Sequence, residues 1–386
     1  MGILKKLFIV TLFLFPLGEI ARINLSNGFA IKPLDVGVGI IVLSGLMFKI
    51  IKKQKIKQMN IFLPIVLFTL TGLFSLITNN LRLSLSEFFI SFSYLLRWVA
   101  YAGIFFVVND FDKEFKKKIA SLLIALGSLI VGLGYLQYFL YPNLKNLFYL
   151  GWDEHMYRMF SVFLDPNFAG AFFVLFFLFL MNLLARKENI FIGILLVLTL
   201  GAIFLTFSRS ALITLMISSS ILLVLLNKKI WIALLLGIVF LALAISSKYF
   251  NIENINLFRV ISTEARLKTA KNAIKIIQDQ PIFGVGFNAY RYAQLGYRFR
   301  NDKAEVVSHA DSGVDNNILF VLATTGVVGF LFYALMWIRI IKMANVLAVV
   351  SIIGVLVDSL FVNSLFYTYI MFWLWVIIGL GEIYKS

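Results

Sequence analysis

IFIGILLVLTLGAIFLTFSRSALITLMISSSILLVLL, residues 190–226, holds a single charged side chain, Arg209, and is bounded by Arg186-Lys187 before it and Lys228-Lys229 after it. On either side of Thr206-Phe207-Ser208-Arg209 the residues are apolar all round, without the polar face that a helix of a water-soluble domain needs. Each run approaches the roughly 20 apolar residues that carry a helix across hydrocarbon. The stretch therefore reads as two membrane helices joined by a tight corner with an arginine in it. Similar runs recur from end to end, with one long polar interruption. The 386 residues are 61% hydrophobic and 14% charged, with a mean hydropathy of +0.94; soluble domains carry about a quarter charged residues.

The net charge of +16 could indicate nucleic acid, but most of it lies in short loops. Lys5-Lys6, the cluster from Lys52 to Lys57, Lys113 to Lys118, Arg186-Lys187, Lys228-Lys229 and Arg339 with Lys342 are separated by even numbers of apolar runs. That is the positive-inside distribution of a multi-pass protein; it accounts for most of the basicity, and no nucleic-acid partner is expected. Taking these loops as cytoplasmic predicts twelve helices near 7–21, 34–51, 61–78, 86–108, 119–140, 161–184, 190–206, 210–226, 230–247, 314–338, 346–361 and 363–381. The expected fold is an all-α membrane protein, one domain over 1–386, with both termini cytoplasmic. The first run follows Lys-Lys as a signal peptide would, but no small-residue cleavage site follows, so it reads as an uncleaved helix. Cysteine is absent and only two histidines are present, which excludes disulfides and thiolate chemistry and argues against a histidine-rich metal centre; no metal or cofactor is expected.

The polar interruption, 247–313, is expected as an extracytoplasmic loop between helices 9 and 10. It carries ten Lys or Arg against six Asp or Glu, a positive balance that topology does not explain. Within it, Thr263 to Asp279 reads as an amphipathic helix at the membrane surface, with Leu267, Ala270, Ile274 and Ile277 on one face and Lys268, Lys271 and Lys275 on another. Pro281 ends it, Gly284-Val285-Gly286 gives a tight turn, and Tyr290, Arg291, Tyr292, Tyr297, Arg298 and Arg300 suit sugar faces and phosphates as well as an interfacial belt.

Ionisable groups in or beside spans are costly, so each invites a functional reading and a structural one. Arg97 lies deep in its helix and is expected either to meet substrate or to pair with a neighbour such as Glu87. Arg209 suits anion binding or an interfacial hairpin. Asp315 and Asn316 can cap a helix, or Asp315 can accept a proton from an incoming hydroxyl at the mouth of a cavity. His309 and His155 could do the same work, or be ordinary loop histidines. Asp165-Pro166-Asn167 fits a helix start, and Asp358 with Asn363 fits a polar corner. Arg209, Asp165, His309 and Asp315 all fall on the non-cytoplasmic side. Two arginines there could neutralise a diphosphate leaving group while a carboxylate or imidazole activates an alcohol.

Thr206-Phe207-Ser208-Arg209-Ser210-Ala211 resembles the "TFSRGA" corner of the O-antigen polymerase and ligase superfamily of bacterial envelope glycan enzymes. Arg266 followed by Asp279-Gln280-Pro281-Ile282-Phe283-Gly284-Val285-Gly286 is similar to that family's "R…A…I…PLFGVG", Asp165 to Ala169 to its "PN.lA", and Asn316 to Gly329 to its "N..L.....TG..G". The resemblance implies a GT-C-like, metal-independent membrane glycosyltransferase in the bacterial inner membrane, acting on its outer face on glycan carried by undecaprenyl diphosphate. It implies diphosphate binding by Arg209 and Arg266, catalysis by Asp315 or His309, and substrate contacts by Asn316, Arg291, Asp165, Asn167 and Arg97. Lipid A ligases of the superfamily carry histidine where this chain has Asp315, which favours a polymerase of O-antigen or capsule repeat units, with a chain-length regulator as possible partner. A ligase joining glycan to lipid A (lipopolysaccharide) or protein, and a lipid-linked glycan flippase, are the alternatives.

Overall fold

The computed structural model describes residues 1–25, 29–54, 59–81, 83–228, 261–299 and 313–381. The apolar runs are helical: α1 (Gly2–Leu14), α2 (Pro33–Ile51), α3 (Met59–Thr78), α4 (Leu85–Asn109), α5 (Lys113–Leu140), α6 (Pro166–Arg186), α7 (Ile190–Leu205) and α8 (Arg209–Leu225). The polar interruption supplies α9 (Ile261–Asp279) and α10 (Tyr290–Gly296), and α11 (Asn317–Met343), α12 (Val346–Asp358) and α13 (Thr368–Gly379) follow. A two-residue antiparallel pairing of β1 (Ile23–Asn24) with β2 (Ala30–Ile31) leads into α2. Six helices, α2 to α6 and α11, are long and apolar enough to cross a membrane, and α7, α8, α12 and α13 are apolar but shorter. The chain is an all-α, multi-pass membrane protein. The expected helix at 230–247 lies outside the described residues.

Several boundaries differ from expectation for local reasons. The first helix stops at Leu14, not near 21, and passes into a 3-10 turn over Phe15–Ala21 that contains Pro16 and Gly18 at φ 57, ψ −154. That backbone region is essentially open to glycine alone, and a Cβ there would stand 2.1 Å from the Val162 carbonyl. The helix expected from 161 begins at Pro166, because the Asp165 carboxylate accepts from the Asn167 and Phe168 N–H groups and ends the preceding loop. α12 ends at Asp358 and α13 starts only at Thr368, after a 3-10 turn at Ser364–Phe366.

α6 is the central rod. Phe172, Phe176 and Phe179 set their rings edge-on around Trp373 of α13, at 5.1, 5.9 and 5.9 Å between centroids; such pairs add about 0.5–1.5 kcal/mol each beyond burial. At the end carrying the basic loops, Lys49 of α2 pairs with Asp110 at 2.6 Å, and Lys5 pairs with Asp112. Near the other end Arg97 pairs with Asp35 at 3.0 Å and donates to the Ala30 carbonyl, while Tyr101 donates to the same carboxylate at 2.9 Å. The expected partner Glu87 instead closes a capping box with Ser84. It sits ten residues before Arg97, about 15 Å along the helix.

α11 is broken at Gly326, at φ 64, ψ −170. The segment after α9 fills the break. The freed N–H groups of Val327 and Val328 donate to the carbonyls of Pro281 and Ile282 at 2.9 and 3.3 Å, and those of Val285 and Gly286 donate to the carbonyls of Ala323 and Thr324 at 2.9 and 3.1 Å. Ser75 of α3 adds a bond to Thr324 O at 2.8 Å. Further along, Arg339 of α11 donates to the Asn60 carbonyl of α3 at 3.0 Å. The two cross-links are fifteen residues apart on both helices, so α3 and α11 run antiparallel in register. Because Ser75 is three residues from the end of α3, the break lies about 4.5 Å from that end, near one membrane surface rather than at the midplane.

α9 hangs from this break. Ala273 and Ile276 are buried against Val314, Phe320 and Ala323, whereas Leu267 and Ile274 are exposed.

Candidate functional site

The corner between α7 and α8 is shaped by backbone. Phe207 takes φ 48, the left-handed region that turns the chain at one residue, and Ser208 caps α8 so that Arg209 is its first residue. Arg158, buried beneath the corner, donates from Nε to Thr206 O at 2.8 Å and from Nη2 to Phe207 O at 3.4 Å. Asn167, at the start of α6, accepts from Arg158 Nη2 at 3.3 Å and from Ser208 Oγ at 3.1 Å. The corner is thus held by carbonyl and amide groups, and Asn167 serves it structurally. Arg158 was not singled out in the sequence. As one charge in a loop it resembles any interfacial arginine, and its partners lie 48 and 49 residues away.

A hydroxyl chain continues from the corner to the opposite pair of helices. Ser208 Oγ lies 3.1 Å from Ser210 Oγ, Ser210 bonds to Asp358, and Ser364 donates to Asp358 Oδ2. Asp358 is fully buried, which is tolerable for a carboxylate only with such donors. Both corners, 206–208 and 359–367, adjoin helices shorter than the bilayer is thick.

α9 brings Arg266 within electrostatic reach of this polar chain. Its charge acts on Arg209, on Asp315 and on Asp358. Asp315 sits just before α11, half-buried, with Thr269 of α9 hydrogen-bonded to it. Burial raises its pKa above the ordinary carboxylate value, and the negative charge of Asp165 pushes the same way; Arg266 and the Thr269 bond oppose them. The charge of Arg266 thus reaches both Arg209 and Asp315, and that of Asp165 reaches Asp315, although the four come from four separate segments. Two guanidinium groups near enough to repel each other, with Arg209 at the N-terminus of α8, form a setting for an anion with more than one charge.

The other expected residues fall elsewhere. Asn316 caps α11 through Leu319 N at 3.0 Å and donates to Leu360 O at 3.1 Å, which ties α11 to the second corner. Arg291 lies on α10 beside Tyr292, whose hydroxyl also feels Glu87 and Tyr94 of α4. Arg97 belongs to the Asp35 pair and stacks over Tyr94 at 4.5 Å. His155 sits in the loop before α6 at φ 45, and His309 lies outside the described residues. Tyr290, named within the aromatic stretch, is buried and feels the charge of Asp315.

Comparison with curated proteins gave no match. A family model described as O-Antigen ligase matches residues 194–334. The matched span runs from α7 through the Arg209 corner, α9 and the broken α11, the elements that carry Arg209, Arg266 and Asp315. Over residues 194–334, a little more than a third of its length, the chain is similar to the O-antigen ligase family.

Proposed function

We propose that this protein polymerises oligosaccharide repeat units of a surface polysaccharide, taking glycan from an undecaprenyl diphosphate donor on the outer face of the inner membrane. The observation that supports the reading most is that the charge of Arg266 acts on both Arg209 and Asp315. In the reaction, a hydroxyl at the non-reducing end of one glycan gives its proton to the Asp315 carboxylate while its oxygen bonds to the anomeric carbon of the other. The bond from that carbon to the phosphate oxygen breaks, and the electron pair leaves with undecaprenyl diphosphate. Arg209 and Arg266 offset the charge that develops on the leaving oxygen. The residues fit a metal-independent transfer, in which guanidinium groups supply the cationic charge. A chain-length regulator is the natural partner of such a polymerase.

A ligase uses the same donor chemistry with a different acceptor, and the carboxylate at position 315 favours the polymerase between the two. A flippase would need a polar pathway through the midplane. The broken helix α11 supports none, since its break lies near one surface and its freed backbone groups are taken up by 281–286. Reconstitution with lipid-linked repeat units tests the proposal. Wild type is expected to extend chains, and Arg209→Ala and Arg266→Ala each to slow extension about 10²-fold or more. Transfer of one complete glycan to lipid A without chain growth would favour the ligase, and unchanged extension in both variants would remove the arginines from the site.

A further inference from the structure

We infer that the outward face of α9 is a docking surface for anionic phospholipid head groups of the leaflet into which the site opens. The inward face of α9 carries Arg266 and Thr269 toward Asp315 and packs Ala273 and Ile276 against α11. On the opposite arc, Leu267 (57%) and Ile274 (45%) are exposed, with Lys268, Lys271 and Lys275 on the adjoining arc. At helical spacing Leu267, Lys271, Ile274 and Gln278 form one continuous strip. Exposed apolar side chains in water would be a liability, and exposed lysines in hydrocarbon would be costly; a lipid–water boundary suits both.

The level of the helix agrees with that boundary. The segment following α9 is plugged into the break in α11, opposite Ser75 and close to the end of α3. There Phe283 sets its ring on Phe74 at 4.8 Å, and exposed Ile282 and Phe283 continue into the exposed row Leu70, Phe74 and Ile77 of α3 and Leu331 of α11. Leu267 and Ile274 of α9 therefore stand at the upper edge of the lipid-facing surface of the spans, with Lys271 between them. Lys275 also rests 5.7 Å above the Phe299 ring, which leaves Lys268 and Lys271 as the principal head-group contacts. Each lysine near an anionic surface strengthens attachment about five-fold at moderate salt, and amphipathic helices of this composition lie in the interface plane.

The test is independent of glycosyl transfer, because its readout is fluorescence. The chain has no cysteine, so Leu267→Cys or Ile274→Cys carries one environment-sensitive fluorophore on the full-length protein in phosphatidylcholine vesicles. A small fraction of phosphatidylglycerol or of phosphatidylcholine bearing an acyl-chain nitroxide is then added as quencher. The expected result is several-fold stronger quenching by the phosphatidylglycerol probe. That preference should disappear in a Lys268→Gln, Lys271→Gln background and in high salt. A label at Leu331→Cys, which faces lipid on α11, should be quenched equally by both probes in both backgrounds and reports that the protein remains inserted. Equal quenching of the α9 labels by the two lipids, or quenching by neither while Leu331→Cys responds, would overturn the inference.

Discussion

Asp315 stands in opposing fields: burial and Asp165 raise its proton affinity, and Arg266 and Thr269 lower it, with a net upward shift. A base must be unprotonated, so the rate of glycan transfer should fall as pH drops through a midpoint above the ordinary carboxylate value of about 3.9. The linkage to stability has the opposite sign. A carboxyl whose folded pKa is raised binds protons more tightly in the folded state, so its contribution to stability is full at low pH and is lost as pH rises through the folded pKa. Asp315→Asn should cost about 10²–10⁴-fold in rate and should remove that part of the pH dependence of thermal stability. Paired rate and melting profiles check this; a wild-type rate that stays flat down to pH 4 would exclude Asp315 as the base. Legibility at this scale followed cost. Arg209 stood out as the lone charge of an apolar hairpin, whereas Arg158, which also holds the corner, left no mark, because two of its partners are the carbonyls of Thr206 and Phe207 and any sequence supplies carbonyls.

Among the elements, the break in α11 decides where Arg266 lies. Its glycine is irreplaceable on geometric grounds: a Cβ at Gly326 would stand 2.1 Å from Ile282 O and 2.5 Å from Phe283 N, in a backbone region that costs other residues about 1–3 kcal/mol. Gly326→Ala should release 281–286 from α11, lower the melting temperature and reduce transfer as severely as loss of Arg266. Gly132→Ala on α5, with nothing within 4 Å of the added carbon, should be neutral or stabilising by about 0.5–1 kcal/mol. Equal melting of the two variants would mean that the plug does not hold α9. The pattern from Asn316 to Gly329 was visible in the sequence, but the break was not: Thr325-Gly326 is compatible with a continuous membrane helix, and only the groups that satisfy Val327 and Val328 make the break stable. What covers each face of α9 was not legible for a related reason. In a membrane protein lipid is as apolar as the core, so helical periodicity of Leu267 and Ile274 shows an apolar face without showing what covers it.

Over the whole molecule, apolar run lengths marked the helices among the described residues, with boundaries displaced where proline, glycine or a capping carboxylate intervenes. The sidedness that the loop charges imply can be measured directly, because a chain without cysteine accepts single reporters. Lys52→Cys is expected to label only from the cytoplasmic side, and Asn143→Cys and Asp279→Cys only from the outside; the reverse pattern would place Arg209 and Arg266 on the cytoplasmic side. The claim on which the functional reading rests is that Arg209 and Arg266 hold one diphosphate between them. Undecaprenyl diphosphate affinity of the full-length protein in nanodiscs, measured for wild type, Arg209→Ala, Arg266→Ala and the double variant, tests it most directly. A shared ligand predicts that each single change weakens binding at least tenfold and that the double change costs clearly less than the two combined. Strictly additive losses, or affinity that either single change leaves intact, would contradict it.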